Sequence, residues 1–164
     1  MKKFAFICHP FDVSAIRHRL PWMRMLPGPV VEMASRLMPP VVASHITGIR
    51  SSWAQTEGWL IGVPLTAKQM VTLPERTVLK RITQAMQVAQ RLGAQVAGLG
   101  VDRAAARDGS VMVGKNVHIP VTTGYSYTIG MALAGLELAA VKKQLDLKQA
   151  NVFVPDATST IGSV

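Results

Sequence analysis

The 164 residues are one domain's worth of chain, 49% apolar and 16% charged, which excludes intrinsic disorder and allows a real core. Eighteen Lys and Arg against nine Asp and Glu give a net charge of +9, which favours an acidic partner, but the basic residues come in groups of two or three and aromatics are only 5%, so nucleic acid is disfavoured. No apolar stretch reaches the roughly 18 to 20 residues of a bilayer span, and a single cysteine, Cys8, rules out an intrachain disulfide and any multi-cysteine metal site.

Lys3 to Cys8 reads as a first strand, too short for a secretory apolar region because His9-Pro10 ends it, so the chain is expected in the cytoplasm. Prolines at 21, 27, 29, 39 and 40 forbid long helices next. Short ones are expected near Val13–Arg19 and Val30–Met38. Trp22, Met23, Met25, Met33 and Met38 supply a soft apolar surface there, suited to a core or to a flexible acyl chain. Val41 to Val63 reads as a hairpin with its turn near Glu57-Gly58, closed by Pro64. Thr72-Leu73-Pro74-Glu75 has the spelling of a capping box. It predicts a helix whose stripe is Val78, Leu79, Ile82, Ala85, Met86, Ala89 and Leu92, ended by Gly93.

Gln95 to Leu99 is a short buried strand, 101–116 a polar loop, and Val117 to Val121 a further strand. A second long helix opens in Thr122–Thr128 and runs to about Leu145. Asn151–Val154 reads as a last strand and Pro155–Ser163 as the turn after it. The fold class is α/β, a small mixed sheet flanked by helices, with residues 1–150 as a substrate-binding domain. Residues 151–164 would be the first strand and turn of a Rossmann-like NADP-binding unit.

Two segments could carry chemistry. A strand followed by a small-residue turn can hold a pyrophosphate on backbone N–H groups, but Asp156 and Ser159 stand where the first two glycines belong, leaving Gly162 alone. Asp156 would also repel a phosphate, and a βαβ unit needs about thirty residues or more. Tight dinucleotide binding is therefore not expected. The other segment is Thr122, Thr123, Gly124, Ser126 and Thr128, where hydroxyls crowd a helix start and either cap it or offer contacts to an anion or a carbonyl oxygen. Cys8, inside an apolar run, is expected as a small buried thiol, and no Cys8-His9 dyad is expected because neighbouring strand side chains diverge.

The order and spacing of many short pieces resemble the N-terminal part of the long-chain fatty acyl-[acyl-carrier-protein] reductases of cyanobacteria. These pieces include Phe4-Ala5-Phe6-Ile7-Cys8-His9, Pro39-Pro40-Val41-Val42, Ile49-Arg50-Ser51, Gln84 to Gly93, Ala97-Gly98-Leu99-Gly100, Thr122-Thr123-Gly124 with Thr128, and Ile161-Gly162-Ser163. The resemblance implies a substrate domain preceding an NADPH-binding Rossmann domain. It also implies a later cysteine, beyond Val164, that takes the acyl group as a thioester for reduction to an aldehyde. Cys8 sits where the family tends to have glycine, so no catalytic residue is carried over.

The family's glycine-rich turn aligns with Ala157, Thr158, Ile161 and Gly162 as cofactor positions, with NADPH expected in a longer chain. Thr122-Thr123-Gly124 matches the stretch facing the substrate cleft. Acyl carrier protein, itself acidic, gives the basic charge a meaning. Further expected partners are the remainder of the reductase or a second copy, with peripheral contact to a membrane also open. A shikimate-dehydrogenase-like oxidoreductase and a non-catalytic binding module for acyl groups or their carrier remain alternatives.

Overall fold

The computed structural model describes residues 2–100, 113–115, 117–151 and 153. The chain divides into two compact units, Met1–Thr123 and Gly124–Val164. The first is an α/β unit built on β1 (Lys2–Cys8), β2 (Val41–Arg50), β3 (Gln55–Gly62), β4 (Val96–Gly100) and β5 (Val121–Thr122). Their order across the sheet is β2-β3-β1-β4-β5. β1 is parallel to both β3 and β4, and β4 to β5, while β2 is antiparallel to β3 at the edge. This is the small mixed sheet flanked by helices that the sequence pattern implies.

Alternation sets the core. Ala5 and Ile7 of β1, Trp59 and Ile61 of β3, and Ala97 and Leu99 of β4 turn to one face of the sheet. Against them lies α4 (Glu75–Arg91), burying Val78, Leu79, Ile82, Ala85, Met86 and Ala89, the stripe expected from the spacing. Its end is a Schellman motif: Ala94 N–H donates to Ala89 O and Gly93 N–H to Gln90 O, with Gly93 at φ 84°.

The opposite face is built on a close approach of rings to backbone. A Cβ at Gly58 would stand 2.7 Å from ring carbons of Phe4, one at Gly98 2.9 Å from Phe6, and one at Gly100 closer still to Phe6. The two phenylalanines of β1 therefore lie across the glycines of the strands on either side. Gly58 is thus a strand residue and not a turn, which corrects the expected hairpin. The turn is Ser51–Ala54, where Ser51 Oγ accepts from Trp53 N–H and Ala54 N–H.

Between β1 and β3 the chain forms α1 (Val13–Arg19), a 3₁₀ turn (Pro21–Met25) and α2 (Gly28–Leu37). Asp12 caps α1 by accepting from Ser14 N–H and Ala15 N–H. Ile16, Met23 and Val31 form a second small core, with Leu20, Leu26 and Met38 packed on it. The proline-imposed short helices are where the sequence puts them.

Two helical segments were not anticipated. Within the expected loop 101–116, of which 101–112 and 116 lie outside the described residues, Val113 and Gly114 are helical and Val113 is buried in the main core. A short helix also follows β3. α3 (Ala67–Thr72) opens with a true capping box, Thr66 and Gln69 bonding reciprocally. Thr72 is the last residue of α3 and its hydroxyl donates to Lys68 O, so it does not cap α4, whose N-cap is Pro74 without a side-chain bond. The expected strand Val117–Val121 shrinks to Val121–Thr122. Pro120 has no N–H to extend the ladder backwards, although its carbonyl accepts from Ala97 N–H.

The second unit contains α5 (Tyr125–Lys143), as the helix after Thr122–Thr128 was expected to run. It is apolar on all sides, with Met131, Leu133, Leu136, Leu138 and Val141 exposed. Asn151 and Phe153 belong to no strand, contrary to the expectation for Asn151–Val154; residues 152 and 154–164 lie outside the described residues.

Candidate functional site

Because β3, β1, β4 and β5 are parallel, their carboxyl ends share one edge of the sheet. The chain leaves β1 for β2 and β3 on one side and crosses to β4 on the other, so connections diverge at β1. In open α/β sheets ligands bind at such an edge, near the strand where the order reverses.

A cleft of about 420 Å³ opens there, within the roughly 300 to 1,000 Å³ of small-molecule sites. Three strands give it a cross-sheet row: Cys8 pairs with Gly62, and Gly62 with Val41. Gly62 carries no side chain, and a Cβ there would meet Val41 Cγ2 at an ordinary 3.6 Å. Ala15, Ile16 and Arg19 of α1 and its C-cap Leu20 line one part of it; Met38, Val42 and Ala43 line another, and His9-Pro10 and Val63-Pro64 continue it past the strand ends.

Apolar groups dominate this lining, and its polar side chains are Cys8, His9 and Arg19. Cys8 Sγ lies 3.7 Å from Ile61 O. Burial pushes its thiol pKa up, with the Arg19 charge acting more weakly in the opposite sense. At neutral pH Cys8 is therefore a thiol, a poor nucleophile and a fitting neighbour for an apolar ligand. His9 Nδ1 lies 3.1 Å from Pro10 O. Arg19 is the cleft's permanent charge, able to hold a carboxylate, a phosphate or a polarised carbonyl oxygen.

The candidates named from the sequence fall on both units. Thr122 ends β5 and Thr123 follows it, at the carboxyl edge and two strands from β1, about 10 Å at ordinary strand spacing. Gly124, Ser126 and Thr128 belong to the second unit. Gly124 is the N-cap of α5 with φ 74° and supplies no side-chain cap, while Thr128 Oγ1 donates to Gly124 O at 3.1 Å. Ala157, Thr158, Ile161 and Gly162 lie outside the described residues.

Sequence reasoning missed the cleft, because its lining comes from separate elements joined only by the strand order. One signal was legible: His9-Pro10 closes the first strand of an α/β pattern, and the end of that strand is where such folds put ligands. Among the described residues no helix is long and apolar enough to cross a membrane, and no group of three or more His, Cys, Asp and Glu is placed to hold a metal ion. The chain matches no known protein family and no curated protein.

Proposed function

We propose that this chain is the substrate-side part of a cytoplasmic, NADPH-dependent oxidoreductase that reduces fatty acyl-[acyl-carrier-protein] thioesters to aldehydes, and that the cleft beside Cys8 and Gly62 takes the acyl chain. The observation that carries this reading is the apolar lining at a ligand-binding edge of the sheet. An acyl chain asks for no hydrogen bonds. A small hydroxy or keto acid, the substrate of a shikimate-dehydrogenase-like enzyme, needs several convergent donors, and the cleft offers Arg19 and His9. The net charge of +9 supports an acidic carrier as the delivering partner.

The chain's own part in such a reaction is to bind and orient the acyl group and to keep water from it. NADPH, which supplies hydride when bound, would meet Ala157, Thr158, Ile161 and Gly162, with the Asp156 carboxylate repelling a pyrophosphate and Ser159 standing where a glycine is expected.

Binding of a fluorescent polyene fatty acid tests the site. The native chain is expected to bind it at micromolar concentration, Ala15→Trp to lose it by filling the cleft, and both to melt at similar temperatures. Undiminished binding by a folded Ala15→Trp chain would remove the cleft as the acyl site.

A further inference from the structure

We propose that the 3₁₀ turn Pro21–Met25 and the outer face of α2 form a docking surface for anionic phospholipid bilayers. The side chains turned outward there are the wrong ones for a solvated surface. Trp22 is 64% exposed, Met25 94%, Met33 63% and Leu37 79%. Singly such residues need no explanation, but a group of them within sixteen positions does.

Geometry sorts them into two stripes. Residues three apart eclipse in a 3₁₀ turn, so Trp22 and Met25 share one edge. On α2, Val30, Met33 and Leu37 recur at spacings of three and four and share a face. Both elements are pinned from behind: Met23 and Val31 are fully buried in the small second core, so the outward residues cannot fold inward to hide.

Charge points to the occupant. From Phe11 to Met38 there are four arginines, 17, 19, 24 and 36, against Asp12 and Glu32. Asp12 is occupied as the cap of α1, and Glu32 is half-buried, whereas Arg19, Arg24 and Arg36 are exposed. Tryptophan and methionine beside exposed arginines are the composition of a surface that sinks its apolar groups to the headgroup boundary while its cations meet lipid phosphates. The surface also adjoins the cleft: Leu20 and Met38 line it, and Trp22 and Leu37 follow or precede them by one or two residues. The docking does not depend on what the cleft binds.

Flotation of the full chain with vesicles tests the proposal. The chain is expected to float with phosphatidylcholine vesicles containing phosphatidylglycerol and not with phosphatidylcholine alone, and to be released as salt rises. Trp22→Ser/Met25→Ser should weaken binding about ten-fold or more without shifting the melting temperature, and Arg19→Gln/Arg24→Gln should weaken it and flatten the salt dependence. In the native chain, brominated lipid should quench fluorescence that Trp22→Phe removes. Equal flotation with neutral vesicles, no flotation at low salt, or binding untouched by the Trp22/Met25 change would overturn it. So would loss of acyl carrier protein binding in these variants by a chain that ignores vesicles, which would make the surface a protein interface.

Discussion

Gln69 is a fully buried polar side chain whose groups are all engaged. Its Oε1 accepts from Thr66 N–H at 3.0 Å and from Ser35 Oγ at 3.4 Å, and its Nε2 donates to Glu32 O at 2.7 Å. The knot ties α2 to the start of α3. Gln69→Leu keeps the volume but leaves the buried Thr66 N–H without its acceptor, while Ser35 Oγ still donates to Glu32 O at 2.9 Å, so it should cost about 1 to 3 kcal/mol in denaturant unfolding. A change near zero would mean that water reaches the knot. A second residue cluster lies on β1, β2 and β3, where Glu57 accepts from Lys3 at 3.0 Å and faces His45 at 3.3 Å, and His45 stacks on Trp59. The hydrogen bond from Lys3 is the first cause holding the Glu57 carboxyl below its ordinary pKa, opposed by desolvation and aided by the two nearby charges. A depressed folded pKa means that this stabilisation is present above the unfolded carboxylate pKa and is lost as pH falls through the folded one. Stability measured downward from neutral pH should therefore fall below the usual carboxylate range, and Glu57→Gln should flatten that limb. The same slope in native and variant chains would assign it to other carboxylates.

At the level of elements, the legible signals were those repeated many times. The stripe of α4 is spelled by six buried positions, and no tertiary contact had to be known to see it. α3 has six residues, too few to show a period, and its capping signature Thr66-x-x-Gln69 has the same spelling as Thr72-x-x-Glu75, which caps nothing. Glycine was ambiguous for a similar reason. Gly58 looked like a turn because glycine permits turns, yet its use is to leave room beneath the Phe4 ring, a fact of pairing between β1 and β3 that only the fold supplies. Two substitutions separate these uses. Gly58→Ala puts a methyl 2.7 Å from the ring and should cost about 1 to 3 kcal/mol, whereas Gly62→Ala, with its nearest neighbour at 3.6 Å, should leave stability almost unchanged. Equal melting temperatures for the two chains would mean that the Phe4 ring swings off Gly58 at little cost.

On the scale of the whole molecule, the α/β class followed from alternating strand and helix patterns, but the cleft did not, because Cys8, Ile16, Met38, Val41 and Gly62 are brought together by the order of the strands. Of the residues picked for their chemistry, Thr122 and Thr123 stand at the end of β5, two strands from β1, and Ser126 and Thr128 belong to the second unit. The cleft has one permanent charge, Arg19, in a mostly apolar lining, and this makes a prediction about ligand heads. A fatty acid and the fatty alcohol of the same length bury the same chain, so the difference in their affinities isolates the head. The native chain should prefer the carboxylate, and Arg19→Gln should bring the two ligands together by weakening the acid about ten-fold while leaving the alcohol, the loss expected of one charge-assisted hydrogen bond. Gly62→Ala, which takes space and leaves Arg19, should weaken both alike. Thermal shifts at matched ligand concentrations read all six combinations of chain and ligand, since each ten-fold change in affinity alters the stabilisation by about 1.4 kcal/mol. If Arg19→Gln weakens acid and alcohol equally, the guanidinium shapes the cleft without touching the ligand head, and the carboxylate of the fatty acid is held elsewhere.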